Sequence, residues 1–101
     1  MPEPLEVNRL ILTARIAGIS ALRDTPAGLP ALDLELHHES QQSEALVPRT
    51  VQLSIQAVAF GELTQRLLAL EMTQVVHFKG FLVSPRHGKS VTFHVQDFKT
   101  S

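Results

Sequence analysis

The stretch TVQLSIQAVAFGELTQRLLALEMTQVVHFKGFLV, residues 50–83, changes its hydrophobic period twice. Val51, Leu53, Ile55 and Ala57 alternate with Gln52, Ser54 and Gln56, the two-residue repeat of a half-buried strand over about 50–58. Phe60, Leu63, Leu67 and Leu70 then recur at three- and four-residue spacing, which lines up one side of a short helix. Glu62 near its start and Arg66 further along suit the helix dipole. Alternation returns over about 73–83, with Val76, Phe78, Gly80 and Leu82 on one face and His77, Lys79 and Phe81 on the other. A single helix set between strands, rather than at one end of them, restricts the architecture.

Strands flank this unit on both sides. In residues 8–19 Leu10, Leu12, Ala14 and Ile16 share one face, Arg9, Thr13 and Arg15 the other, with Ile11 as an apolar residue facing outward. Pro26 and Gly28 mark a turn, because one presets φ and the other tolerates positive φ. Leu32, Leu34 and Leu36 alternate with Asp33, Glu35 and His37 over residues 31–38. The polar run Glu39–Glu44 reads as a loop that Pro48 ends. Pro85–Lys89 forms a short basic hairpin before a fifth strand over about Ser90–Phe98. Three strands, a helix and two strands give an all-β chain with one short helix, the order of an OB-fold, a five-stranded Greek-key barrel. Periodicity alone also accommodates a small open sheet with one packed helix. Residues 8–101 are expected to form one domain behind an extension over residues 1–7.

Composition excludes several classes of function. The chain has 101 residues, a formal net charge of −1, and no cysteine, tryptophan or tyrosine. A disulfide framework, a thiolate metal site and a cysteine nucleophile are therefore excluded. Near-neutrality excludes a uniformly basic nucleic-acid coat and leaves local patches. Glu3 and Glu6 stand where a signal peptide needs positive charge, and no uncharged run approaches the roughly 20 residues of a spanning helix. A cytoplasmic protein without membrane contact is the expectation. His37-His38-Glu39 contains metal-ligand residue types, but neighbours on a strand point to opposite faces, so no metal site is expected. No motif ties a base to a nucleophile, so neither an enzyme nor a cofactor is expected.

Two stretches go beyond a generic barrel. Asn8–Ile16, followed by Thr25–Pro30 and by Leu32-x-Leu34-x-Leu36-His37-His38-Glu39-Ser40, resembles the opening of bacterial single-stranded-DNA-binding proteins (SSB), and more closely the primosomal replication protein N (PriB) family. Val76-x-Phe78-x-Gly80-Phe81-Leu82 matches that family's fourth strand, and the likeness covers about residues 8–99. The resemblance implies an SSB-like OB-fold homodimer without enzymatic activity. Its partners would be single-stranded DNA, the PriA helicase and other primosome proteins, and it would serve replication restart. An SSB-like dimer places part of the first strand at the subunit contact, which gives Ile11 an interface role beside its plain reading as a surface apolar residue.

By the same resemblance the DNA-binding residues are Arg49 at the start of the third strand, Phe81 on the fourth, and Arg86 and Lys89, with His87 between them, on the hairpin that follows; Lys79, an outward cation on the fourth strand, joins them by residue type and direction alone. The residue types suit the task, since single strands bind without sequence preference to cations along the backbone and flat rings under the bases. Phe81 alternates outward; its other reading is a barrel-edge residue covered by a loop or partner chain. This chain departs from the family pattern at Gln52, where some relatives carry an aromatic on strand three, at Val47, an aromatic position in the preceding loop, and at Glu39, a basic position after strand two. Those departures, with Asp33 and Glu35, keep a second function open: an adaptor barrel that contacts the helicase and scarcely touches DNA. The bases nevertheless gather late: residues 70–101 hold four Lys/Arg and two acids, a net of +2, and residues 1–69 hold the balance of −3. Modest, salt-sensitive binding is the expectation.

Overall fold

The computed structural model describes residues 6–100. Strand β1 (Leu10–Ile19) leads to a two-residue strand β2 (Arg23–Asp24), then to the long strands β3 (Pro30–Glu44) and β4 (Val47–Phe60). Helix α1 (Leu63–Leu68) connects to β5 (Val76–Val83) and β6 (Thr92–Thr100). Most of the expected extension, residues 1–5, and Ser101 lie outside the described residues.

The strands hydrogen-bond in the order β1-β5-β6-β4-β3-β2, and pairing of β1 with β3 closes five of them into a barrel. One strand reaches two neighbours by bending. Leu10–Ala14 pair with β5, Arg15–Ile19 pair with β3, and a register shift between Ile16 and Gly18 marks the irregularity. All pairings are antiparallel except β4 with β6, where Gln56–Val58 face Thr92–His94 in parallel. This is the OB-fold, with its helix between the third and fourth barrel strands. β2 adds only a short edge to β3, held by the two-point contact of Arg23 with Asp33, Nε to Oδ2 at 2.8 Å and Nη2 to Oδ1 at 3.1 Å.

The alternating residues fill the interior as their period requires. Leu32, Leu34 and Leu36 of β3, Ala57 and Ala59 of β4, Val76 and Phe78 of β5, and Phe93 and Val95 of β6 are buried together. Helix α1 adds Leu63 and Leu67 to the same cluster. Thr64 is also buried, and its hydroxyl donates to the Gly61 carbonyl at 2.7 Å, so no polar atom is stranded there.

Two sequence expectations are corrected. The helical spacing that included Phe60 begins too early. Gly61 takes φ +77°, which breaks the strand from the helix, so Phe60 ends β4 and stays 40% exposed. The polar run Glu39–Glu44 is not a loop, nor does Pro48 end one. β3 and β4 continue past the barrel as a paired arm, in register from Glu39↔Gln52 to Glu44↔Val47, and Pro48 sits inside it opposite Ser43. Solvent bathes both faces of this ribbon, so no apolar alternation is imposed on it and its polar sequence mimics a loop. The arm is turned by Ala45 and Leu46 at φ 52° and 67°, the positive values that a two-residue type I′ hairpin requires. It also stretches the molecule to 49 × 36 × 30 Å, with a radius of gyration of 14.7 Å, against about 13 Å for a compact domain of this length.

Candidate nucleic-acid interface

The outer face of β1, β5 and β6 carries the residues with the chemistry for binding a polyanion. Ile11 pairs with Lys79, and Lys79 with Asp97, across the three strands. Alternation therefore sends Lys79 and Phe81 outward while Phe78 faces the core. Between Lys79 and Gly80 the register with β6 shifts by one residue. Gly80 is buried there, and a Cβ on it would overlap the His94 carbonyl oxygen and come within 2.7 Å of Phe93 Cε1. The close approach of β6 sets Phe81 directly beside His94, with ring centroids 5.2 Å apart and planes 22° from parallel.

Lys79 and Phe81 line one open groove of about 590 Å³ together with Asn8, Arg9 and Gln96. Glu6 also lines it and offsets one positive charge. Asn8 fixes one wall: its amide donates to the Leu82 carbonyl at 2.8 Å, and the Leu82 N–H donates back to its Oδ1 at 2.9 Å. The side chain thereby continues the β1–β5 pairing beyond the strand and holds Arg9 on the groove. Asp97, opposite Lys79, makes its ion pair with Arg66, whose Nη1 lies 3.2 Å from Oδ1, and also feels the Lys79 charge. The Asp97 carboxyl lies below the ordinary carboxylate range, chiefly through the Phe98 backbone N–H and then through Arg66. Arg66 in turn stacks its guanidinium 4.7 Å above the Phe98 ring, tying α1 to β6.

The other sequence-selected residues lie elsewhere. Arg86, His87 and Lys89 are exposed on the 84–91 connection between β5 and β6, where Gly88 takes φ +106°. Arg49 is on the arm, its Nε 2.6 Å from Glu44 Oε1, with both side chains about two-thirds exposed. The parallel pairing of Gln56 with Thr92 shows that the arm and the 84–91 connection leave the barrel toward the same end. Arg49 lies seven positions before Gln56, so at about 3.3 Å per step it stands about 23 Å out along the strand. Ile11 is 68% exposed on the half of β1 that pairs only with β5. The structure thus groups Lys79 with Phe81, gathers Arg86, His87 and Lys89 on one loop, and sets Arg49 apart. Sequence reading missed Arg9 and His94, although the outward alternation of Thr92, His94 and Gln96 marks His94.

Among the described residues no group of three His, Asp or Glu side chains could hold a metal ion. His37 instead faces Glu39 at 3.3 Å and Ser54 at 3.5 Å, and His38 meets the Ser40 hydroxyl at 2.7 Å.

Comparison with known proteins gives this geometry a lineage. The model of a family described as "Another single-strand binding protein family" matches residues 8–97. The replication restart protein PriB of Bordetella pertussis is 44% identical over 91 residues, covering 89% of this chain and 85% of that protein. This chain belongs to the PriB family. A PriB from Nitrosomonas europaea is 28% identical over 100 residues, covering 95% and 93% of the two chains. The solved PriB of Ralstonia solanacearum superposes with a TM-score of 0.85 at 32% identity, covering 94% of this chain and 98% of that one. A small single-stranded DNA-binding protein from Streptomyces coelicolor shares the fold at a TM-score of 0.72 and 15% identity, covering 97% and 96%. PriB proteins are thus SSB-like barrels of replication restart rather than a known enzyme family. Among the described residues no helix is long and apolar enough to cross a membrane.

Proposed function

We propose that this chain is a non-catalytic accessory protein of the replication-restart primosome, acting in the cytoplasm as a homodimer that binds single-stranded DNA and assists the PriA helicase. The observation that carries the reading is the groove on the outer sheet, where Phe81 offers a ring beside Arg9 and Lys79. A ring and cations at one place supply the two parts of sequence-tolerant single-strand binding. Arg86, His87 and Lys89 would extend the positive track along the loop that follows β5. A titration of labelled oligo-dT at low salt, followed by fluorescence anisotropy, tests this. Binding should weaken in Lys79→Ala, and further when Arg86→Ala and Lys89→Ala are combined. A loop variant that binds as tightly as the parent would remove the loop from the site.

The homodimer reading is supported by Ile11. It is a large apolar side chain in solvent on a strand segment with one neighbour, and an antiparallel copy of the same segment would cover it.

One observation favours the adaptor reading. Arg49 is engaged by Glu44, and the arm tip presents Leu46, 97% exposed, and Val47. An apolar tip of that kind suits a protein surface better than a phosphate track. A pull-down of the helicase with an arm variant, Leu46→Ser, beside the same DNA titration separates the two. Lost helicase capture with intact DNA binding would assign the arm to the protein partner.

A further inference from the structure

We propose that Phe60 and His94 extend Phe81 into a three-ring stacking platform for single-stranded nucleic acid, with Arg9 and Lys79 holding the phosphates beside it. The inference rests on the DNA-binding reading above and assigns that site two residues which neither the sequence pattern nor the family likeness supplied.

Strand register brings the rings together. On β6, His94 stands opposite Phe81 of β5 on one side and opposite Val58 of β4 on the other, and Phe60 follows Val58 by two residues on the same face. His94 therefore lies between two phenylalanines. Its centroid is 5.8 Å from that of Phe60, with planes inclined by 35°, and 5.2 Å from that of Phe81, inclined by 22°. These are the separations of interacting ring pairs. Three barrel strands each contribute one member, so the array is fixed by the sheet rather than by a flexible loop.

A purely structural role explains this array poorly. Phe78 and Phe93 fill the barrel and are fully buried, whereas Phe60 leaves 40% of itself in water. A leucine would cover the same sheet surface, but it lacks a flat face. The row also runs toward the groove, because Phe81 belongs to both. Phe81 and His94 already stack on each other, so bases would stack on the ring faces left free at the ends of the row, and at the Phe81 end their phosphates would lie within the field of Lys79 and Arg9. Asp97, paired with Lys79 across the strands, makes its ion pair with Arg66 and offsets only part of the Lys79 charge. The absence of Trp and Tyr from the chain makes the idea directly readable, since one introduced indole would be its only strong fluorophore.

The experiment uses the full chain in two arms. In the first, F60W is titrated with unlabelled oligo-dT, and its fluorescence should be quenched over the same concentration range that saturates the anisotropy signal. In the second, F60L and H94L should each bind labelled oligo-dT about five- to tenfold more weakly, the lower end of one base–ring stack. F60Y, which keeps a ring, should return to within about twofold of the parent. Thermal melts check that each variant remains folded. An indole of unchanged intensity at saturation, together with F60L and H94L binding like the parent, overturns the platform and leaves the groove reading standing. A parent chain that does not bind oligo-dT at low salt overturns both.

Discussion

A methyl group at Gly80 would overlap the His94 carbonyl oxygen and press on Phe93, so the β5–β6 bulge has room for hydrogen only. Gly80→Ala should therefore cost at least the 1–3 kcal/mol typical of overpacking, because the obstructing atom is backbone and cannot rotate away. Urea denaturation would show this as a lower midpoint at unchanged slope, and Phe81 would lose its place beside His94. Acidic side chains give a second outcome. The Arg23 guanidinium holds the Asp33 carboxyl below the usual range, and the Phe98 N–H and Arg66 do the same for Asp97. A carboxylate with a depressed folded-state pKa contributes stability above about pH 4, and that contribution disappears as pH falls through the lower folded value. Thermal melts between about pH 5 and about pH 2, which span the ordinary carboxylate range, should fall less steeply for Asp33→Asn combined with Asp97→Asn than for the parent. Both carboxylates are about half exposed, so solvent screens them and the difference will be small. Such pairings were hidden in the sequence: Arg66 and Asp97 lie 31 residues apart. Lys79 and Phe81 were legible because strand alternation states their direction. Arg9, Phe60 and His94 gain meaning only once β1, β4 and β6 meet β5.

The barrel strands and the helix were readable because each buries one face, and burial writes its period into the residues. The β3–β4 arm was not readable, since both of its faces meet solvent and nothing selects an alternating pattern. Its turn was hidden as well. Type I′ hairpins favour Asn-Gly, and Ala45-Leu46 occupies the same left-handed conformation without either residue. Non-glycine residues at positive φ store on the order of 1 kcal/mol each. Replacing Ala45 by Asn and Leu46 by Gly should relieve part of that strain. The arm projects beyond the core, so it opens locally without unfolding the barrel. The gain should therefore show in amide hydrogen exchange of residues 40–52, as protection raised about five- to thirtyfold for ~1–2 kcal/mol. The global melting temperature should scarcely move. Equal protection in the two forms would mean that neighbouring contacts already hold the tip in its left-handed geometry.

A near-neutral molecule can bind a polyanion only where its charges are sorted in space. Arg9 and Lys79 share the groove on the outer sheet, Arg86 and Lys89 share the loop after β5, and Arg49 is engaged by Glu44 on the arm. Assembly bears on how many of these meet one strand. If two copies join along the open half of β1, Ile11→Asp places a charge in the contact, and sedimentation should show a monomer in place of the dimer. Each phosphate neutralised on a single strand contributes about −0.7 to the slope of log K against log salt. Four cations of one protomer acting together therefore predict a slope near −3, and a strand that crosses both protomers predicts about twice that. Arg49→Ala should leave the slope unchanged, because its partner is a carboxylate of its own chain, whereas Lys79→Ala should make it shallower by about one contact. The Ile11→Asp variant then separates the two totals: it should halve a two-protomer slope and leave a one-protomer slope where it was. A slope near −1 in the parent would mean that stacking carries the binding with a single phosphate contact, and the shared field of groove and loop would have to be abandoned.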